Sequence, residues 1–193
     1  MGSVQDLVIG EDNLPRCGWA GTAGDYTAYH DDEWGRTLHG DDAMFERLSL
    51  EGFQAGLAWI TVLRKREAFR AAFHHFQIDA VAALTPADVE TLLADPGIIR
   101  SRAKIESAIH NARIVRDLPE GLDAFLWGFA PTKPRKRYQS FAEAPTVTPE
   151  STAMAKSLKK AGVKFIGPTS AYALMQATGM VDDHLAGCFR AEG

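Results

Sequence analysis

Leu92-Leu93-Ala94-Asp95-Pro96-Gly97-Ile98-Ile99-Arg100-Ser101-Arg102-Ala103-Lys104-Ile105-Glu106-Ser107-Ala108-Ile109 reads as a helix end, a tight turn and a helix start. Thr85 and Pro86 supply an N-cap and a proline at the first helical position, and Val89, Leu92 and Leu93 give that first helix its apolar stripe. Asp95-Pro96-Gly97 stops it, because proline cannot continue the hydrogen-bond ladder and glycine tolerates a sharp turn. Ile105, Ala108, Ile109 and Ala112 then recur at helical spacing. The unpaired N–H groups that open the second helix, helped by its dipole, form a natural phosphate site, with Arg100, Arg102 and Lys104 alongside. Pattern alone leaves two readings open: an ordinary αα-hairpin, or a helix-hairpin-helix element over about residues 86–115 that grips a DNA backbone without reading its sequence.

Outward from this hairpin the chain stays helical. Upstream, Phe69, Phe73 and Phe76 recur at spacings of four and three, and Asp41 or Asp42 can cap a helix carrying Met44, Phe45 and Leu48. Downstream, residues 119–149 hold five of the nine prolines and read as a linker-like region with a short helix near Ala124–Phe129. Ser151 can cap a basic amphipathic helix with Met154 and Leu158 inward, and Pro168 to Gly179 forms a last helix. No alternating strand pattern and no internal repeat is found. The expected fold class is all-α: a flexible leader over residues 1–14 and a single domain over 15–193.

The chain has 193 residues, 46% hydrophobic and 24% charged, with a net charge of −4. That is ordinary for one globular domain and runs against a generic basic nucleic-acid binder, although the cations cluster locally at 64–66, 100–104, 133–137 and 156–164. No apolar run approaches bilayer length and no signal-peptide pattern opens the chain, so a cytoplasmic protein with no membrane partner is expected.

Two constellations could carry chemistry. In Leu50-Glu51-Gly52-Phe53-Gln54-Ala55-Gly56-Leu57-Ala58-Trp59-Ile60-Thr61-Val62-Leu63 a lone carboxylate and an indole would share one face of a continuous helix. Together they could recognise a flat, electron-poor or cationic ring, the carboxylate at its edge and the indole on its face. The plainer alternative is a solvated Glu51 and a core Trp59. The only two cysteines, Cys17 and Cys188, are each accompanied by a histidine, His30 and His184. Two thiolates and two imidazoles make a closed, structural zinc site; buried thiols or a disulfide are the alternatives.

At the level of whole motifs the chain resembles the bacterial DNA-3-methyladenine glycosylase I family. The resemblance rests on Arg16-Cys17-Gly18-Trp19, on Tyr26-Thr27-Ala28-Tyr29-His30-Asp31-Asp32-Glu33-Trp34-Gly35 and on the 50–63 stretch. It extends to Gly97-Ile98-Ile99-Arg100, Lys164-Phe165-Ile166-Gly167-Pro168-Thr169 and Val181-Asp182-Asp183-His184-Leu185-Ala186-Gly187-Cys188. The chain departs from the family pattern in its leader, in Phe53 and in the basic segment 131–137.

The resemblance implies a helix-hairpin-helix DNA glycosylase fold with one structural zinc joining the terminal segments through Cys17, His30, His184 and Cys188. It implies a base-excision repair hydrolase that removes 3-methyladenine from alkylated double-stranded DNA, with free 3-methyladenine as product. Glu51 is the implied catalytic and recognition carboxylate. Tyr29 would hydrogen-bond the base, Trp59 would stack on it, and Trp19 and Tyr26 would line the pocket. Leu57 would enter the stack that the flipped nucleotide has left, and Gly97, Ile99 and Arg100 would hold the backbone. An N3-alkylated deoxyadenosine is cationic, so its glycosidic bond is already weak and the leaving base needs no proton; the enzyme must flip, hold and exclude. Glycosylases of this superfamily that also cut the strand place a nucleophilic lysine where this chain has Ser101, so a monofunctional enzyme is expected. A catalytically silent, zinc-stabilised binder of damaged DNA is the alternative. A monomer is expected.

Overall fold

The computed structural model of the chain describes residues 6–133 and 136–191. Two short strands, β1 (Leu7–Ile9) and β2 (Pro15–Cys17), open it. Ten helices follow among the described residues: α1 (Asp25–Asp32), α2 (Asp41–Gln54), α3 (Trp59–Leu63), α4 (Arg66–Ala72), α5 (Ile78–Ala82), α6 (Pro86–Ala94), α7 (Arg102–Arg116), α8 (Leu122–Trp127), α9 (Pro149–Ala161) and α10 (Pro168–Ala177). No described helix is long and apolar enough to cross a membrane. Pro134 and Arg135 of the basic segment, and the first five residues of the leader, lie outside the described residues.

The core is built on α7. Its Ile105, Ile109, Ala112 and Val115 are buried against Ile78 and Val81 of α5 and Met44, Phe45 and Leu48 of α2. The phenylalanines spaced by four and three extend it: Phe73 and Phe76 stack with centroids 5.6 Å apart. Met154 and Leu158 of α9, with Leu174 and Met175 of α10, close the other side.

Helix starts follow local chemistry, with two reassignments. Thr85 caps α6 in a capping box with Asp88, with Pro86 in the first turn as expected. Gly40, not an aspartate, precedes α2. Asp41 instead accepts the N–H of Asp123 at the start of α8, and Asp42 that of Ile78 at the start of α5, each at 2.8 Å. Thr148, not Ser151, caps α9, and Ser151 is its reciprocal partner three residues on.

Glu51 and Trp59 do not share a continuous helix. Gly56 adopts φ +81°, a left-handed conformation that breaks the run between α2 and α3. The carbonyls freed at the end of α2 are met by Lys104 of α7, whose Nζ donates to Phe53 O at 2.8 Å and Ala55 O at 2.6 Å.

The leader is structured from Asp6 onward. β1 pairs antiparallel with β2, Leu7 opposite Cys17, around a turn in which Asn13 has φ +62°. Asp6 accepts hydrogen bonds from Gly18 N at 2.8 Å and Phe141 N at 2.9 Å. Strands of three residues are too short to display an alternating pattern, which is why neither the pairing nor any strand was expected. Deleting residues 1–11 should therefore lower stability by about 1–2 kcal/mol, or about 2–8 °C in Tm, by removing the half-buried Leu7 and Val8 and baring the β2 edge. A melting curve identical to that of the full chain would restore the flexible leader.

Candidate active site

A cavity of about 340 Å³ opens where the first and last thirds of the chain meet. Trp19, Tyr26, Tyr29, Glu51 and Trp59, all named from sequence as pocket residues, line it together. The rings pack edge to face. Trp19 meets Tyr26 at 5.8 Å and Trp34 at 5.0 Å, and Tyr29 lies tilted 5.4 Å from Trp59. Tyr26 Oη accepts the N–H of Ile60 at 2.9 Å, which ties α1 to the first turn of α3 and so places Trp59. The break at Gly56 thus performs what a continuous helix could not: it turns the indole back toward the carboxylate.

Trp34, Gln54, Phe141, Ala144, Ala173, Gln176 and Asp183 also line the cavity and were not singled out. Trp34, Gln54 and Asp183 sit inside the motif blocks already quoted, so a signal existed for them. Phe141 and Ala144 come from the prolyl stretch without periodicity, brought to the wall by the bond to Asp6. Asp183 is fixed from beneath: its Oδ2 accepts from Tyr172 Oη and from Gln176 Nε2, the latter at 2.8 Å.

Two glutamates show what the cavity does to charge. Glu33 is desolvated, yet hydrogen bonds from Arg66 and Arg47, at 2.6 to 2.7 Å, outweigh burial and pull its pKa down to about 2. Glu51 is buried and accepts no hydrogen bond from any described residue. Burial pushes it up to about 8, against a smaller pull from Arg47 one turn earlier on α2. Burial likewise pushes the Tyr29 hydroxyl up. The Trp59 Nε1–H is buried without a partner. An unpaired carboxyl in an aromatic box holds its recognition capacity for a ligand.

Behind the aromatic wall lies the cysteine and histidine cluster. Cys17, His30 and Cys188 bring their donor atoms within 4.8 Å of one another, all buried, and both thiols are free. His184, the fourth residue named, stands against His30 with ring centroids 4.8 Å apart, its Nε2 buried and unpartnered. Asp31 takes Nδ1 of His30 at 2.7 Å and Asp182 takes Nδ1 of His184 at 2.6 Å, leaving each Nε2 directed away from its carboxylate. Arg16 holds Asp31 in turn, at 2.7 and 3.0 Å. The hydrogen bond from Cys17 draws the Cys188 thiol down to about 4, and the same pairing pushes Cys17 up. A buried thiolate, a thiol and two oriented imidazoles suit a tetrahedral d¹⁰ cation such as zinc.

The residues named for DNA contact divide. Leu57 is 41% exposed on the loop between Gln54 and Trp59, both of which line the cavity. Arg100 is exposed and forms no ion pair among the described residues, whereas Arg102 is held by Glu90 at 2.8 Å and Lys104 by α2. Gly97 differs from expectation. Its N–H is taken by Asp95 Oδ1 at 2.7 Å, and a Cβ there would lie 2.9 Å from that of Ala68. Glycine is needed for packing the hairpin on α4, and a bulkier residue would strain the hairpin itself. The N–H groups of Ile98, Ile99 and Arg100, and those of Arg102, Ala103 and Lys104 in the first turn of α7, form no described hydrogen bond.

Comparison with known proteins agrees with this geometry. The family model for methyladenine glycosylase matches residues 19–191. The DNA-3-methyladenine glycosylase 1 of Escherichia coli strain K12 is 46% identical over 179 residues, 91% of this chain and 96% of that protein. A crystal structure of a 3-methyladenine DNA glycosylase I is similar with a TM-score of 0.86 at 47% identity, over 90% of this chain and 98% of that one. The 3-methyladenine DNA glycosylase I of Staphylococcus aureus, solved for the structural basis of 3-methyladenine recognition, gives 0.84 at 33% identity, over 89% of this chain and 93% of that one.

Glu51 leaves a measurable mark on stability. Its folded pKa lies above its unfolded one, so the folded state binds the extra proton and the stabilisation is complete only below the unfolded value of about 4.5. It is lost as pH rises toward about 8. Glu51→Gln, which cannot ionise, should melt progressively higher than the parent from pH 5 to pH 8, by an amount on the order of a few kcal/mol at the upper end. Parallel melting curves for the two proteins across that range would refute the unpaired burial of Glu51.

Proposed function

Because the chain belongs to the methyladenine glycosylase family, we propose that it excises 3-methyladenine from alkylated DNA by hydrolysing the N-glycosidic bond and leaves the strand intact. The observation that carries the reading is Glu51: a buried carboxyl with no protein partner in an aromatic cavity of a size to take one base. Trp59 and Tyr29 offer the faces on which a flipped base stacks, and Trp19, Tyr26 and Trp34 extend the aromatic wall.

The raised pKa of Glu51 supplies discrimination. A cationic N3-alkylated ring entering beside it favours the ionised carboxylate, which then accepts the exocyclic amino edge of the base. Unmodified adenine is neutral and provides no such compensation, so Glu51 stays protonated and the ring is held less well. Scission converts the bound cation into a neutral base and weakens its hold. Water takes the sugar, since the position expected for a lyase amine is Ser101, the residue before α7, and the nearby Lys104 is committed to Phe53 O and Ala55 O.

In the same reading one zinc per chain is held by Cys17, His30, His184 and Cys188. The orphaned His184 Nε2 and the two carboxylate-oriented imidazoles support it. When bound, the metal neutralises the buried thiolate and fastens the two ends of the chain; its role is structural.

Incubating methylated duplex with the protein should release free 3-methyladenine, and borohydride should trap no covalent adduct; a trapped adduct would show a lyase. Glu51→Gln and Trp59→Ala should stay folded yet lose affinity for free 3-methyladenine, Trp59→Ala by about 1–3 kcal/mol. Unchanged calorimetric affinity in both would place the base elsewhere. Elemental analysis should find one zinc per chain, and Cys17→Ser should lose both metal and thermal stability. Metal-free purified protein of full stability would exclude the site.

A further inference from the structure

Among the described residues Phe165 is the exposed Phe, Tyr or Trp whose backbone conformation carries a cost. It is 47% exposed and adopts φ +64°, a left-handed backbone that a bulky side chain rarely takes. The strain is imposed by a clamp. Asn111 of α7 donates through Nδ2 to Lys164 O at 3.0 Å and accepts Lys164 N–H at 2.8 Å through Oδ1, so the residue before Phe165 is fixed on both sides. On the following side Ile166 is buried, and Pro168 begins α10. Between these two fixed points about half of the side chain's surface stays open to solvent. The side chain therefore recovers only part of the cost of that strain from folding, and a partner that covers the ring would supply the rest.

Its position identifies that partner. Phe165 lies over Gly52, where a Cβ would be 4.0 Å from its own, so it sits on the outer face of α2 one residue after Glu51. Lys104, exposed Lys164 and Phe53 share that small recess. Lys104 in turn binds Ala55 O, which leads directly into the loop bearing exposed Leu57. The two exposed apolar side chains, Leu57 and Phe165, thus flank the end of the helix that carries the base-recognising carboxyl, with ammonium groups between and beside them. Cations bordering apolar wedges match a polyanion with stackable bases.

Resting on the glycosylase reading, we propose that Phe165 is a second wedge: Leu57 occupies the gap left by the flipped nucleotide, and Phe165 presses its ring against the base stack of the duplex beside the lesion. No covalent step involves it. It positions the duplex, and so acts on DNA and not on the free base.

The test compares Phe165→Ala, Phe165→Gly and Phe165→Trp in the full chain. The probes are a duplex with a stable abasic analogue opposite 2-aminopurine, methylated duplex, and free 3-methyladenine. Phe165→Ala and Phe165→Gly should weaken abasic-duplex binding roughly five- to a hundredfold, the range of base–aromatic stacks, and reduce the 2-aminopurine fluorescence change. Phe165→Trp should restore both. All three should bind free 3-methyladenine as the parent does. Phe165→Gly should also melt higher than the parent, because glycine relieves the left-handed strain, so stability and DNA binding move in opposite directions. Duplex binding and fluorescence unchanged in Phe165→Ala would overturn the proposal, and so would loss of free-base binding, which would make Phe165 a support of the cavity. Failure of the parent to release base from methylated duplex would instead overturn the glycosylase reading, while the abasic-duplex comparison would still decide the wedge.

Discussion

Much of the cavity's aromatic wall hangs from the buried meeting of Cys17, His30, His184 and Cys188. Trp19 follows Cys17 by two residues and packs 5.4 Å from the His30 ring. Tyr29 precedes His30, Trp34 lies 4.6 Å from the His184 ring, and Asp183 precedes His184. The pocket is therefore assembled by closing the ends of the chain on each other. Helices α2 to α9 could pack correctly and still leave no binding site. The desolvated thiols explain why that closure needs something stronger than apolar packing, and the row Arg16, Asp31, His30 shows three residues spent on aiming a single nitrogen.

Within that frame, α2 places two opposite tendencies on one helix. Arg47 helps satisfy Glu33 and so keeps a desolvated carboxylate ionised, while Glu51, one turn on, is left without a donor. The protein evidently could have paired Glu51 and did not. A partnered carboxylate would be more stable and less responsive. Left buried without a donor, it stays neutral until something offsets the cost of ionising it.

Much of this was legible in the chain because the relevant chemistry is local. Thr85-Pro86 starts α6 and Asp95-Pro96-Gly97 ends it by backbone rules that tertiary contacts rarely override. Apart from Phe141, the aromatic and carboxyl residues of the pocket lie in four dense motif blocks. What could not be read is what depends on distance in sequence. The pairing of β1 with β2 involves three residues on each side, below the length at which alternation is a signal. Asp41 and Asp42 have the look of caps for the helix they begin, but they cap others, because folding brings foreign N–H groups within reach of their free oxygens. Gly97 reads from sequence as part of a phosphate-holding turn, and in the structure its N–H is taken by Asp95 while its Cα packs on Ala68. A glycine tells that something comes close, and not whether it is ligand or protein.

Those two adjacent aspartates have a consequence for motion. The first turns of α5 and α8 each hang by a backbone N–H from the start of α2, 36 and 82 residues away in sequence. Fraying of either helix start costs the hydrogen bond that α2 holds, and fraying of α2 releases both at once. Three helix beginnings that would otherwise open separately are joined into one cooperative unit, so slow amide exchange should be shared among them. That unit sits at the opposite end of α2 from Glu51. The helix is thereby anchored at its first turn, and its remaining freedom is confined to the end where Glu51, the loop at Gly56 and the cavity meet.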